Sequence, residues 1–182
     1  MISKRSVHND NFIREMAKGL KPPIKILDIV FARNKKIWHP IFLRNKKAFL
    51  KIVKNKKFQF TLASEKPEIF GNQIKNNDLV LIIGGDELLC LKRLEKLRNF
   101  KNLIKGKVVA GSSAGAYVLS RYYYSADRNE VGKGLGILPI KTLAHYNKGK
   151  SRAALERLKN IGESLRICKI PETHYVVIKS NI

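Results

Sequence analysis

The stretch KVVAGSSAGA, residues 107–116, decides how the rest of the chain is interpreted. Its apolar beginning, Lys107–Ala110, is typical of a buried strand, and Ala114–Tyr122 is typical of a helix. At their junction, Gly111–Gly115 fits the pattern Gly-x-Ser-x-Gly. In that pattern small residues permit a tight, strained turn, and the turn lifts the hydroxyl group of the central serine, here Ser113, above the edge of the sheet.

A second glycine turn follows the clearest strand in the sequence. Asp78–Ile83 (DLVLII) ends at Gly84-Gly85, and Glu87–Phe100 carries leucines at helical spacing. The other predicted strands are Ile24–Ala32, Phe58–Leu62, Leu165–Ile170 and His174–Ile178, and the other predicted helices are Asn11–Leu20, Ile41–Val53 and Ser151–Ile161. Alternating strands and helices predict an α/β fold, a three-layer α/β/α arrangement with a mostly parallel central sheet, in which Val108–Ala110 is a central strand.

Length and composition favour one folded domain, residues 1–182. The hydrophobic fraction of 44% is too high for a disordered chain. Cys90 and Cys168 match no metal-binding or redox spacing, so we expect two buried thiols, a reducing compartment, no metal and no cofactor. No apolar run approaches the roughly 20 residues of a membrane helix, and the N-terminus lacks a signal-peptide core. We therefore expect a cytoplasmic protein without a membrane partner.

The charge of the chain is strongly positive. Lysine and arginine number 37 against 14 acidic residues, which gives a formal net charge of +23. Such a field attracts nucleic acids, anionic lipids and acidic small molecules. Aromatic residues do not interleave with the lysines in an RNA-binding pattern, so we interpret the excess as a solvated basic surface and keep nucleic-acid binding as a less favoured alternative.

The serine turn predicts a nucleophile and part of an oxyanion hole. Ser113 is the candidate nucleophile, and the amide of Ala114, at the start of the helix, is placed to face a developing oxyanion. Gly85 is the candidate second donor, since glycine allows a backbone amide to approach a reacting carbonyl closely. Three alternatives remain: a glycine turn for close helix–strand packing, a phosphate-binding loop in place of the serine turn, and an ordinary strand-to-helix turn at Gly84-Gly85 capped by Asp86.

A serine nucleophile needs a base, and the base needs an orienting acid. Downstream of Ser113 the histidines are His145 and His174. His145 is favoured because it lies at a strand end or in a loop, where catalytic groups concentrate, whereas His174 lies in a predicted strand. Asp127 is the candidate acid, with Glu130 in reserve, and the competing interpretation of either carboxylate is a salt bridge in a very basic protein.

Five segments in this order resemble peptidase E, the aspartyl dipeptidase family within the class I glutamine amidotransferase-like fold. The resemblance extends from about Ile24 to Ile178. It is carried by the segments Ile83-Gly84-Gly85-Asp86, Gly111-Ser112-Ser113-Ala114-Gly115-Ala116, Gly134-Leu135-Gly136-Ile137-Leu138, His145-Tyr146 and Ile170-Pro171-Glu172. Relatives that transfer amide nitrogen use cysteine at the turn, so the serine argues against that activity.

The resemblance implies a serine peptidase that cleaves short peptides through an acyl-enzyme. It implies Ser113 as nucleophile, His145 as base, Asp127 as acid, and Gly85 with Ala114 as oxyanion donors. An aspartyl dipeptidase would use a guanidinium group for its acidic substrate, and Arg121, Arg128 or Arg152 is expected to supply it. Relative to the family pattern we expect a fold trimmed at both ends. The alternatives are a non-catalytic binding module of the same fold and a basic nucleic-acid-associated protein.

Overall fold

The computed structural model describes residues 4–179, and its mixed α/β architecture confirms the predicted fold class. The helices are α1 (Lys4–Met16), α2 (Trp38–Ile52), α3 (Pro67–Lys75), α4 (Glu87–Leu94), α5 (Phe100–Leu103), α6 (Ala114–Leu119) and α7 (Arg152–Lys159), with a 3₁₀ turn at Lys35–Ile37. The strands are β1 (Ile24–Ile29), β2 (Phe58–Leu62), β3 (Leu79–Ile82), β4 (Val108–Gly111), β5 (Ser120–Ser125), β6 (Glu130–Lys133), β7 (Leu138–Ala144) and β8 (Arg166–Ile170).

The first sheet is fully parallel, with strand order β2-β1-β3-β4. Side chains from alternate positions of β1 enter two hydrophobic clusters, one containing Ile26 and one containing Leu27. The cluster around Ile26 includes residues of α1 and α2, and the cluster around Leu27 includes residues of α3, α4 and α6. Helices cover both faces, and β3 (LVLI) is a continuous and fully buried apolar run, as expected for a strand inside a parallel sheet.

The second sheet is mixed, with strand order β6-β5-β7-β8. β5, β7 and β8 run parallel, and β6 pairs antiparallel with β5. The hydrophobic cluster around Leu27 continues into this half of the molecule through Tyr123, Ile137 and Ala144. Ser113 follows the carboxyl end of β4, and His145 follows the carboxyl end of β7. In parallel sheets, sites form at this edge, where the carboxyl ends of the strands lie.

Two sequence-based predictions about the elbow region are wrong. Val108–Ala110 is not a central strand, because β4 is the terminal strand of the first sheet. The helix predicted over Ala114–Tyr122 ends at Leu119, and β5 begins at Ser120. The three consecutive tyrosines, residues 122–124, have high strand propensity, and their pairing with β6 and β7 outweighs the helical pattern that precedes them.

Two further segments differ from expectation. The predicted strands did not include β7, in which Pro139 interrupts the hydrophobic run. The pairing of β5 with β7 is irregular at this point, between the partners of Ser120 and Tyr122, and an irregularity of this kind accommodates a residue without an N–H group. His174–Ile178, predicted as a strand, forms no regular ladder in the described chain.

Both cysteines are buried free thiols, and burial raises the pKa of Cys90 to about 12. Burial also raises the pKa of Cys168. The thiolate, which is the reactive form, is therefore suppressed at neutral pH. Among residues 4–179, no helix is both long and apolar enough to cross a membrane.

Candidate active site

The turn between β4 and α6 is strained at Ser113. Ser113 has φ of 50° and ψ of −113°, a conformation that residues with a side chain rarely adopt. A Cβ added to Gly115 would overlap the carbonyl oxygen of Ile82 and lie 2.9 Å from its carbonyl carbon. A Cβ added to Gly111 would overlap the Gly115 carbonyl group. Only glycine fits at both flanking positions, which explains the Gly-x-Ser-x-Gly spacing.

The elbow brings Ser113 to His145. The Ser113 Oγ lies 2.9 Å from Nε2 of His145, which is a normal hydrogen-bond distance. His145 directly follows β7 and has a positive φ of 57°, so the backbone turns sharply at the end of the strand. Ser113 and His145, which we predicted from the sequence as nucleophile and base, are therefore in direct contact.

The carboxylate next to His145 is Glu172. Its Oε1 lies 2.5 Å from Nδ1 of the imidazole ring. A carboxylate can only accept a hydrogen bond, so Nδ1 carries the proton and the lone pair of Nε2 faces the Ser113 hydroxyl. The pairing of β7 with β8 explains this contact, since Ala144 lies opposite Ile170 and the residues after the two strands emerge side by side.

The acid expected from the sequence was a different residue. Asp127 lies exposed in the turn between β5 and β6, and Glu130 lies exposed at the start of β6. The structure does not bring either carboxylate to Nδ1 of His145, because Glu172 occupies that position. His174, the alternative base, has Nδ1 2.9 Å from the carbonyl oxygen of Glu172, whereas the imidazole that contacts Ser113 is that of His145.

The Gly84-Gly85 loop lies against the elbow. A Cβ added to Gly84 would lie 3.0 Å from the Cβ of Ser113 and 2.8 Å from the carbonyl oxygen of Ser112. The backbone amides of Gly85 and Ala114 donate to no protein acceptor within residues 4–179. These two amides, next to the turn that carries Ser113, are thus available for an oxygen atom from outside the protein.

Charged side chains fix the chain that follows this loop. Asp86 accepts a hydrogen bond from the Leu89 amide at 2.9 Å and caps α4. Arg128 reaches Asp86 at 3.1 Å and the buried Glu87 at 3.3 Å. The Leu89 hydrogen bond, reinforced by Arg128, holds the pKa of Asp86 below its ordinary value. Asp86 is therefore ionised at neutral pH and ties the start of α4 to the turn between β5 and β6.

A groove of about 750 Å³ opens beside the elbow. Ser113, His145 and Glu172 line it together with side chains that are mainly apolar, including Met16, Val109, Leu119, Ile140 and Val177. Clefts of this size and composition bind small organic or peptide ligands. The structure describes no group of three or more His, Cys, Asp or Glu residues placed to hold a metal ion, within residues 4–179.

Two solved structures are similar in fold to this chain. A candidate peptidase E from Listeria monocytogenes EGD-e superposes with a TM-score of 0.63 at 19% identity, over 90% of this chain and 85% of its own. A peptidase from an acI-B1 actinobacterium superposes with a TM-score of 0.52 at 23% identity, over 86% of this chain and 70% of its own. At these identities the likeness concerns the fold alone.

Sequence comparison identifies the family. No functionally curated protein gives a significant match. Residues 5–181, almost the whole chain, match the sequence profile of peptidase family S51. The chain therefore belongs to peptidase family S51, the peptidase E family, and is a serine peptidase.

Proposed function

We propose that Ser113, His145 and Glu172 form the catalytic triad of a peptidase that cleaves short peptides through an acyl-enzyme. The observation that supports this assignment is the continuous hydrogen-bonded chain from the Ser113 hydroxyl through His145 to Glu172, with distances of 2.9 and 2.5 Å. A triad is recognised by this geometry and not by the order of its members in the chain. Here the order is serine, histidine, glutamate.

The acylation step follows from these contacts. The Ser113 Oγ attacks the peptide carbonyl carbon while its proton passes to Nε2 of His145, and the carbonyl oxygen becomes an oxyanion. Glu172 stabilises the resulting imidazolium ion through Nδ1. The amides of Gly85 and Ala114 donate to the oxyanion. Nε2 then gives its proton to the amide nitrogen, the C–N bond breaks, and the amine product leaves an ester on Ser113.

Hydrolysis of the ester uses the same groups. A water molecule attacks the ester carbonyl while Nε2 accepts its proton, and the oxyanion forms again at the same two amides. When the C–O bond to Ser113 breaks, the proton returns to Oγ and the acid product leaves. His145 and Glu172 are 49% and 66% exposed, so water reaches the site readily when no substrate covers it.

An acidic residue at the substrate N-terminus would need a guanidinium group near the site. Arg121 is paired with Glu163 at 3.1 Å, and Arg128 is paired with Asp86 and Glu87. Arg152, at the start of α7, forms no ion pair with a described side chain. None of these three arginines lines the groove beside Ser113, and the charge of Arg152 acts on Glu156. A preference for an acidic substrate therefore rests on the family resemblance, and an aspartyl dipeptide is the first substrate to test.

Labelling with a fluorophosphonate tests the nucleophile without knowledge of the substrate. We expect the wild-type protein to be labelled at Ser113, and we expect no labelling of Ser113→Ala. A hydrolysis assay with Asp-Leu and Lys-Leu dipeptides then tests specificity. Absence of labelling in folded wild-type protein would refute the triad, and equal cleavage of the two dipeptides would refute a preference for an acidic N-terminal residue.

A further inference from the structure

Arg33 lies against the glycine loop that faces the nucleophile. It follows β1 at the carboxyl edge of the first sheet, and its Nε donates to the carbonyl oxygen of Gly84 at 2.6 Å. A Cβ added to Gly85 would lie 2.7 Å from Nε and 2.9 Å from Cδ of Arg33. The arginine side chain therefore covers one side of the loop, while Gly84 contacts Ser113 on the other.

The hydrogen bond from Arg33 acts on the peptide group that carries a proposed oxyanion donor. The carbonyl of Gly84 and the N–H of Gly85 belong to one planar peptide unit and point in opposite directions. Fixing the carbonyl therefore fixes the direction of the N–H. Gly85 has φ of 151°, a region open to glycine alone, so the residue itself does little to restrain this orientation.

The hydrogen bond is also charge-assisted. A hydrogen bond from a guanidinium donor is shorter and stronger than a neutral one, so it restrains the Gly84 carbonyl firmly. The Gly85 amide donates to no protein acceptor within residues 4–179. The orientation of the Gly85 N–H is thus determined by the hydrogen bond that Arg33 donates to the Gly84 carbonyl.

Arg33 is itself held in place through its backbone. Its carbonyl oxygen accepts hydrogen bonds from Nε1 of Trp38 at 2.9 Å and from Nη1 of Arg93 at 2.8 Å. The amide of Asp86, just after the glycine loop, donates to the carbonyl oxygen of Ala32 at 2.9 Å. The segment that carries Arg33 and the loop that it touches are consequently joined at both backbone and side chain.

We propose that Arg33 is a positioning residue for the oxyanion hole, holding the Gly84–Gly85 peptide so that the Gly85 amide points at the developing oxyanion. This role rests on the proposed function, because it requires Ser113 to be the nucleophile. Arg33 does not contact the reacting atoms, and it acts through one peptide group.

Substitutions of Arg33 separate the hydrogen bond from the charge. Glutamine places Nε2 the same number of bonds from Cα as Nε of arginine, without charge, whereas lysine keeps the charge but places a methylene there. The readout is the second-order rate of fluorophosphonate labelling at Ser113, in which the phosphoryl oxygen takes the oxyanion position. Lys36→Ala removes a neighbouring exposed charge that does not touch the loop and serves as the matched control.

We expect Arg33→Ala and Arg33→Lys to be labelled about 10- to 100-fold more slowly than wild type, somewhat less than the effect of deleting an oxyanion donor. Arg33→Gln should stay within about threefold of wild type, and Lys36→Ala should be unchanged. A role limited to folding would not produce this order, because it gives no reason for glutamine to surpass lysine.

Two results would overturn the proposal. One is a rate for Arg33→Ala equal to that of Lys36→Ala. The other is recovery by lysine and not by glutamine, which would assign the effect to charge. If Arg33→Ala does not fold, the labelling rates of Arg33→Gln and Arg33→Lys still show whether the hydrogen bond or the charge is responsible. Failure of folded wild type to be labelled would remove the proposed function and this inference together, whereas normal labelling throughout the series would remove the inference alone.

Discussion

At the scale of single residues, the assignment of the acid depends on which carboxylate meets Nδ1 of His145. From the sequence we predicted Asp127, because it lies between serine and histidine in the chain. In the structure, the carboxylate beside Nδ1 of His145 is that of Glu172. Glu172 was visible in the sequence as part of the Ile170-Pro171-Glu172 turn. Its proximity to His145 depends on the parallel pairing of β7 with β8, and strand pairing is not readable from a single sequence.

Replacing Glu172 should therefore impair turnover much more than replacing Asp127. Glu172→Gln keeps the shape of the side chain but loses the charge that stabilises the imidazolium ion, and we expect kcat to fall by about 10² to 10⁴. Asp127→Asn, the matched control on an exposed turn, should retain wild-type kcat. Steady-state hydrolysis of a dipeptide measures both. The opposite order of the two variants would return the role of the acid to Asp127.

At the scale of elements, the elbow depends on the close approach of β3, β4 and α6. The sequence predicted this arrangement well because the Gly-x-Ser-x-Gly spacing is a steric requirement of the turn itself. It predicted the neighbouring elements less well. β5 begins directly after α6 without a connecting loop, so no turn residue marks the change from helix to strand at Ser120.

Gly115→Ala tests the steric requirement. The added methyl group overlaps the backbone of Ile82, so α6 must move away from β3, and we expect a loss of about 1–3 kcal/mol in the free energy of unfolding. Fluorophosphonate labelling of Ser113 should be lost as well. Chemical denaturation and labelling provide the two measurements. Gly149→Ala is the control for stability, since its added Cβ makes only an ordinary contact at 3.5 Å with Asn147, and equal stability of the two variants would contradict the explanation.

At the scale of the whole molecule, one buried carboxyl group couples stability to pH. Asp28 is 1% exposed, and one of its oxygens accepts a hydrogen bond from Asn45 at 2.8 Å while the other has no partner among the described residues. Burial raises the pKa of Asp28 from 3.8 to about 7. The unfolded chain loses this proton near pH 4 and the folded chain keeps it until about pH 7, so folding becomes less favourable as pH rises between these values.

The contribution of Asp28 to stability is expected to be present below pH 4 and lost above pH 7. A difference of about three pKa units corresponds to about 4 kcal/mol as an upper limit. Asp28→Asn removes the titration, so its free energy of unfolding should vary less between pH 4 and pH 8 than that of wild type. Urea denaturation at a series of pH values measures this difference. Parallel pH profiles for the two proteins would show that Asp28 does not carry the effect.

The positive charge is a second property of the whole molecule. With a net charge of +23, repulsion among like charges outweighs the few exposed ion pairs, such as Lys159 with Glu156. Salt should therefore stabilise the protein, and a gain of about 1 kcal/mol would raise Tm by about 2–4 °C. Thermal unfolding in 20 mM and 300 mM NaCl measures the shift, with equimolal sucrose as the control for osmotic effects. A lower Tm in salt would mean that ion pairs dominate.

The separation of the strands into two sheets has a consequence for how activity is lost. Ser113 follows a strand of the first sheet, whereas His145 and Glu172 follow strands of the second. The 2.9 Å contact between Ser113 and His145 therefore joins two sheets that share no strand ladder within residues 4–179. A relative slip of about 1 Å would carry that contact outside hydrogen-bond range. Mild heating or low denaturant should thus abolish labelling of Ser113 while the circular dichroism of the backbone is still native, so that labelling of Ser113 reports how tightly the two sheets are joined.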